Sequence, residues 1–206
     1  MSITTYAELQ TAVGNWLNRS DLTSYIPDFI KLAESNIESD IMGFEPPPRF
    51  LETTASGTTS GNTLAIPSDY ASMISFIVTI GGQSTSLQYI SPTQAANFTN
   101  TSYPRYYTPI GDNFQFSPPL DGSYAYTLNY YKGLTALSSG VNWILTNAPD
   151  IYLYASLLQA DIFLKNDPRL STWMPLYQNS LDNLREATIR DRKSGSTLRM
   201  RAEVSA

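Results

Sequence analysis

The stretch VNWILTNAPDIYLYASLL, residues 141–158, decides the fold. Its second half is apolar at almost every position, yet it is introduced by Asn142, Trp143, Asn147 and Pro149, residues that punctuate a chain. Asn147 suits the N-cap of a helix beginning at Ala148, with Pro149 and Asp150 in its first turn. Ile151, Tyr154, Leu157, Leu158, Ile162 and Leu164 then spread around more than one face. A helix apolar on several sides must be covered on several sides.

Working outward, other helices supply that cover. Thr5 and Glu8 form a capping box, in which the Thr5 hydroxyl accepts from the Glu8 amide and the Glu8 carboxylate reaches back. Tyr6, Leu9, Val13, Trp16 and Leu17 follow at three- and four-residue steps, which predicts a helix over 6–18. Gly14 weakens it by about 1 kcal/mol relative to Ala. After the short link NRSD, Ile26, Phe29, Ile30, Ala33, Ile37 and Ile41 predict a second helix over 24–42, stopped by Gly43 and the run Pro46-Pro47-Pro48. Asp167 and Pro168 read as cap and first turn of a last helix. Its stripe is Leu170, Trp173, Tyr177, Leu181, Leu184 and Ala187, with a kink at Pro175 and a left-handed stop at Gly195. From 169 to 194 it would be roughly 39 Å long.

Between residues 50 and 140 the character changes, with Gly, Ser, Thr and Pro frequent and apolar runs short. MISFIVTI (73–80) is β-branched and aromatic, and Gly81-Gly82 then leads to TSLQYI. Ser91 and Pro92 start one short helix in SPTQAANF. RYYTPI, a turn at Gly111-Asp112-Asn113, FQFSP, the turn PPLDG and YAYTLNYY read as a three-stranded meander. The expected architecture is α+β. Residues 1–49 and 141–194 form an antiparallel bundle of about four helices, 50–140 an inserted antiparallel β lobe, and 195–206 an extended C-terminal arm. Trp143 is expected to plug the junction of lobe and bundle.

Composition narrows the function. The 206 residues carry 42% hydrophobic and only 15% charged side chains, with 14 Tyr. Few charges and many aromatics predict an outer surface that other subunits cover. A net charge of −5 argues against a whole-molecule nucleic-acid binder. No signal peptide or bilayer-long apolar run is present, so a soluble protein without a membrane partner is expected.

Cys and His are both absent. That removes Ser–His–Asp and Cys–His nucleophiles and imidazole or thiolate zinc sites. No phosphate-cradling loop, dinucleotide fingerprint or calcium loop occurs. Glu34 and Glu38, four apart with Asp40 near, are the one carboxylate pair that could serve acid–base chemistry. A solvated helix face is the plainer interpretation. Neither a catalytic residue, a metal nor a cofactor is expected. The tyrosines at 103, 106, 107, 124, 126, 130 and 131 invite a glycan-stacking alternative, in which a tail or fibre component binds sugar through the β lobe. Core filling is the plainer account.

The chain's end is its most asymmetric stretch. Arg190, Arg192 and Lys193 suit a helix C-terminus, whose partial negative charge they offset. Beyond Gly195, Leu198, Arg199, Met200 and Arg201 alternate like a strand. A frayed terminus is one reading. The other is a docking arm that orders on a partner, and 12 residues reach about 40 Å when extended.

Several segments together resemble a known family: YAELQTAVGNWLNRSDLTSYIPDFIKLAESNI, IPSDY, PRYYTPIGDNFQFSPP and above all NWILTNAPDIYLYASLL, followed by Trp173. The chain is similar to the tail adaptor proteins of tailed bacteriophages, also called head-to-tail connector or head-completion proteins, over roughly 4–195. The resemblance implies a non-enzymatic ring protein of the virion neck, usually a dodecamer, assembled in the host cytoplasm and fixed beneath the portal. DNA passes through the ring without sequence-specific binding. The C-terminal arm would bind the portal protein, which makes Arg190, Arg192, Lys193, Leu198, Arg199, Met200 and Arg201 the expected contacts. The far side would receive the next tail component, a nozzle or tail tube. Trp16, Phe29, Trp143, Tyr152, Tyr154, Leu157, Trp173 and Tyr177 are the expected packing residues of bundle and ring.

Overall fold

The computed structural model describes residues 3–164 and 170–193. The chain divides into two compact units, one helical (Met1–Phe50 and Leu134–Ala206) and one of β structure (Leu51–Gly133). The described helices are α1 (Tyr6–Leu17), α2 (Ile26–Met42), α3 (Pro92–Ala95), α4 (Trp143–Asn147), α5 (Pro149–Leu164) and α6 (Leu170–Lys193). The strands are β1 (Glu52–Thr58), β2 (Thr63–Ala65), β3 (Tyr70–Ile80), β4 (Gln83–Ser86), β5 (Gln88–Tyr89), β6 (Tyr106–Ile110), β7 (Asn113–Ser117) and β8 (Ala125–Lys132). The class is α+β.

In the helical unit α1 begins with the capping box. The Glu8 amide donates to Thr5 Oγ1 at 3.2 Å, while Glu8 Oε2 accepts the amides of Thr4 and Thr5 at 2.7 and 3.0 Å. Asn18 ends the helix in the left-handed region at φ 52°, one of the few places where Asn replaces glycine without strain. Pro27 sits in the first turn of α2. Gly43 is the C-cap of α2, as read, with its amide donating to the Ser39 and Ile41 carbonyls, and it caps from the right-handed region at φ −77°.

The opening stretch folds differently from its reading. Asn142, five residues earlier than Asn147, is the N-cap: its Oδ1 accepts the Leu145 amide at 3.0 Å and launches the short α4. Asn147 closes α4 and donates its amide group to the Trp143 carbonyl at 2.8 Å. Ala148 (φ −144°, ψ 59°) breaks the helix, and α5 starts at Pro149. The apolar girth of α5 is absorbed within its own unit. It packs against α1, α2, α4 and α6, and Ile151, Tyr152, Leu153, Ala155, Leu157, Leu158 and Ala160 are all buried. Residues 134–140, read as part of the lobe, belong to the helical unit. The expected cap at Asp167 and stop at Gly195 lie outside the described residues.

The β unit is a two-sheet sandwich with strand orders β1-β8-β3-β4 and β2-β7-β6-β5. Phe76, Val78, Leu128 and Tyr130 of the first sheet and Phe114 and Phe116 of the second form its core, with Leu87. Two tight hairpins set the register. Gly81 and Gly82, both at positive φ, join β3 to β4, and Gly111 at φ 57° opens the turn between β6 and β7. The expected meander does not form. β6 and β7 pair, but β8 crosses to the other sheet between β1 and β3. Tyr126, Leu128 and Tyr130 on one face of β8 need Phe76 and Val78 beside them, and that apolar demand outranks the local turn signal. The lobe is not wholly antiparallel either, since β5 and β6 run parallel.

Candidate functional site

The most organised polar cluster lies where the chain returns from the β unit. Asn142 is buried and uses its whole side chain: Oδ1 caps α4, while Nδ2 donates to the Thr135 carbonyl at 2.9 Å and to the Tyr152 hydroxyl at 2.6 Å. Glu38 Oε1 accepts the Leu134 amide at 2.8 Å and Glu34 Oε1 the Leu137 amide at 2.7 Å. Burial, opposed by the Leu137 amide and reinforced by Glu38, raises the Glu34 pKa above its ordinary range. Burial, with Glu34 and Glu38 adding to it, pushes the Tyr152 phenol far upward. The solvated-face reading of Glu34 and Glu38 is therefore corrected, and acid–base chemistry gains no support. The two carboxylates clasp the return segment to α2. Asp40, the third acid, accepts from the Tyr177 hydroxyl at 2.7 Å, which ties α2 to α6. Among the described residues no group of three or more acids stands together to hold a metal ion.

At the C-terminal end of α6 the cations differ in role. Arg190 and Lys193 are exposed, whereas Arg192 donates to the Pro47 carbonyl through Nη2 at 2.7 Å and Nε at 3.3 Å. Arg192, read as a partner contact, thus fastens α6 to the proline run. Arg49 meets Asp191 at 3.5 Å. Beside this end runs a groove of about 320 Å³, lined by Phe50, Trp143, Leu184, Ala187 and Asp191 among others. Trp143 stacks flat on Phe50, ring centres 4.3 Å apart, and keeps 43% of its surface exposed. Leu198, Arg199, Met200 and Arg201 lie outside the described residues.

A second surface gathers at the C-terminal end of α5. Ile162 and Phe163 are 68% and 50% exposed. Phe163 packs on Tyr25 and on the buried Phe29 at 5.1 and 5.5 Å. Ile162 and the exposed Met174 border a groove of about 660 Å³ between α2, α5 and α6. Leu157, Tyr152, Trp173 and Tyr177 are buried within the unit, while Trp16 stays 47% exposed and touches Tyr154 edge-on at 6.0 Å.

Most of the tyrosines singled out in the β unit are engaged within that unit. Tyr130 is buried and donates to Asp69 at 2.8 Å, and Tyr107 and Tyr126 pack against the same core. Tyr124 turns to Asp121, and Tyr103 is engaged by Arg105, whose guanidinium also lies 4.6 Å from the ring centre.

Two features escaped the sequence: the clasp made by Glu34 and Glu38, and the groove beside Trp143. Neither has a local signal, because each depends on residues about 100 positions apart meeting in space. Among the described residues no helix is long and apolar enough to cross a membrane. A family model described as SU10 adaptor protein matches residues 4–201. No curated protein matches the chain.

Proposed function

We propose that this chain, which belongs to the SU10 adaptor family of phage proteins, forms a ring beneath the portal and joins it to the tail. The observation that carries this reading is the family match over nearly the whole length. A phage adaptor is a structural protein of the virion that works by contact with other head and tail components, so the ring needs no catalysis. The exposed cations Arg190 and Lys193, with the arm at 195–206 that follows them, are the proposed portal contacts. Neighbouring copies meet through the apolar surface of Ile162, Phe163 and Met174, left uncovered in the single chain. Twelve copies at −5 each would give the ring about −60 in net charge. Such a wall repels phosphate and lets a duplex slide without sequence recognition. The far side takes the next tail component.

Purified protein mixed with purified portal rings and imaged by electron microscopy tests the proposal. A ring docked on the portal is expected, and a variant ending at residue 194 should lose it. Undiminished binding by the shortened chain would remove the arm from the interface. A chain that stays single in the presence of portal would overturn the adaptor ring.

A further inference from the structure

We infer, resting on the reading of the chain as a ring subunit, that neighbouring copies join head to tail. The stacked Trp143–Phe50 pair of one copy seats in the groove between α2, α5 and α6 of the next. Both faces belong to the helical unit, and α6 contributes to each. Met174, Gln178, Leu181 and Arg185 form one stripe of that helix and border the larger groove. Leu184, Ala187 and Asp191 form another and border the groove beside Trp143. At about 3.6 residues per turn the two stripes stand roughly a third of a turn apart, so one copy presents both faces at once.

Each face supplies what the other needs. The larger groove, of about 660 Å³, has exposed Ile162 and Met174 among its walls. Trp143, held flat on Phe50 and 43% exposed, is a rigid aromatic body for those walls to cover. Such an anchor gains most when it is desolvated in an apolar recess. The charges are complementary as well. Asp40 and Asp182 line the larger groove, with Arg185 against them. On the Trp143 side stand Arg49, which lines that groove, and Arg192, fastened to the Pro47 carbonyl beside the lining Pro48, with Asp191 against them. An acid-rich rim thus meets a cation-rich one. Laying either face on its own copy would instead set like charges together and groove against groove. The contact is therefore heterologous, and repeating it closes a ring when the rotation per copy divides a full turn.

The chain has no cysteine, so a single introduced cysteine reports one face without background. Full-length Met174→Cys and Ala187→Cys chains are mixed, incubated with purified portal rings and treated with a short bismaleimide. Portal binding is scored on the same samples by co-sedimentation. Linked dimers are expected to be about tenfold more abundant in the mixture than with either variant alone. Portal-bound chains that link no better in the mixture, or that link within one variant, overturn the head-to-tail contact and leave the adaptor reading standing. Mixed pairs that link without binding portal support the contact and sink the adaptor reading. Chains that neither bind nor link overturn both. Charge reversal gives a second readout at two exposed side chains, Asp182 and Arg49. Asp182→Lys or Arg49→Glu alone should lower the mixed-pair yield several-fold, and the two together in every chain should restore it. Equal yields throughout would overturn the pairing of the rims.

Discussion

Asn142 shows what one side chain can organise. It is buried and makes three hydrogen bonds, to α4, to the return segment and to Tyr152. Asn142→Ala strands the Leu145 amide and the Thr135 carbonyl and is expected to cost about 2–3 kcal/mol, read from urea unfolding at neutral pH. Glu34 gives a second residue-level test. Its folded pKa is raised, so the fold favours the protonated form. The stabilisation belonging to that proton is present below the ordinary carboxylate pKa and is lost as pH rises through the raised folded value. Glu34→Gln keeps an acceptor for the Leu137 amide without the charge. The variant should therefore gain stability relative to the parent as pH rises from about 4 to 7; paired urea melts at both pH values check it. Sequence alone could not choose between Asn142 and Asn147 as the cap. Both are good N-caps before apolar residues, and α4, at five residues, is too short to show a period.

At the scale of elements, α5 explains itself once its neighbours are known. Its apolar breadth was legible, and α1, α2, α4 and α6 of the same chain supply the cover that breadth called for, so that only Ile162 and Phe163 at its end remain exposed. A buried all-round helix and an intersubunit helix have the same sequence pattern. The two ends of that spectrum separate by mutation. Leu157→Ala should cost about 3 kcal/mol in a urea melt, whereas Ile162→Ala should change stability by less than about 0.5 kcal/mol. The strands teach the opposite lesson. β6, β7 and their glycine turn could be read locally, because a hairpin is a local object. β8 could not be placed, since its partners β1 and β3 are chosen by the shared core of Phe76, Val78, Leu128 and Tyr130.

The whole molecule carries three buried or nearly buried phenols that resist ionisation. Burial and the bond to Asp69 push Tyr130 up to about 12, and burial raises Tyr152 and Tyr177 further. An unfolded tyrosine ionises near 10, so above that pH the unfolded chain gives up protons that the fold retains, and stability falls as pH rises. Each phenol contributes a slope of about 1.4 kcal/mol per pH unit. In the β unit Tyr70 and Tyr107, raised by burial, and Tyr124, raised by its bond to Asp121, add to Tyr130, so both units should lose stability as pH rises from about 10 toward 12. Circular dichroism of the helices, followed in urea at pH 9.5 and 11, measures it. Class and family were visible from sequence because the helix periods and the NWILTNAPDIYLYA segment are continuous. The exposed surfaces were not, because exposure belongs to the assembled chain.

The first and last strands of the β unit have a consequence for how such a protein can be remodelled. Glu52 stands opposite Tyr131 on the β1–β8 ladder, so the chain enters and leaves this unit one rung apart, about 5 Å. That leaves residues 51–133 with their two ends side by side. Expressed alone they should give a cooperative thermal transition by circular dichroism, and a foreign domain with similarly close ends should be graftable in their place without recutting the helices.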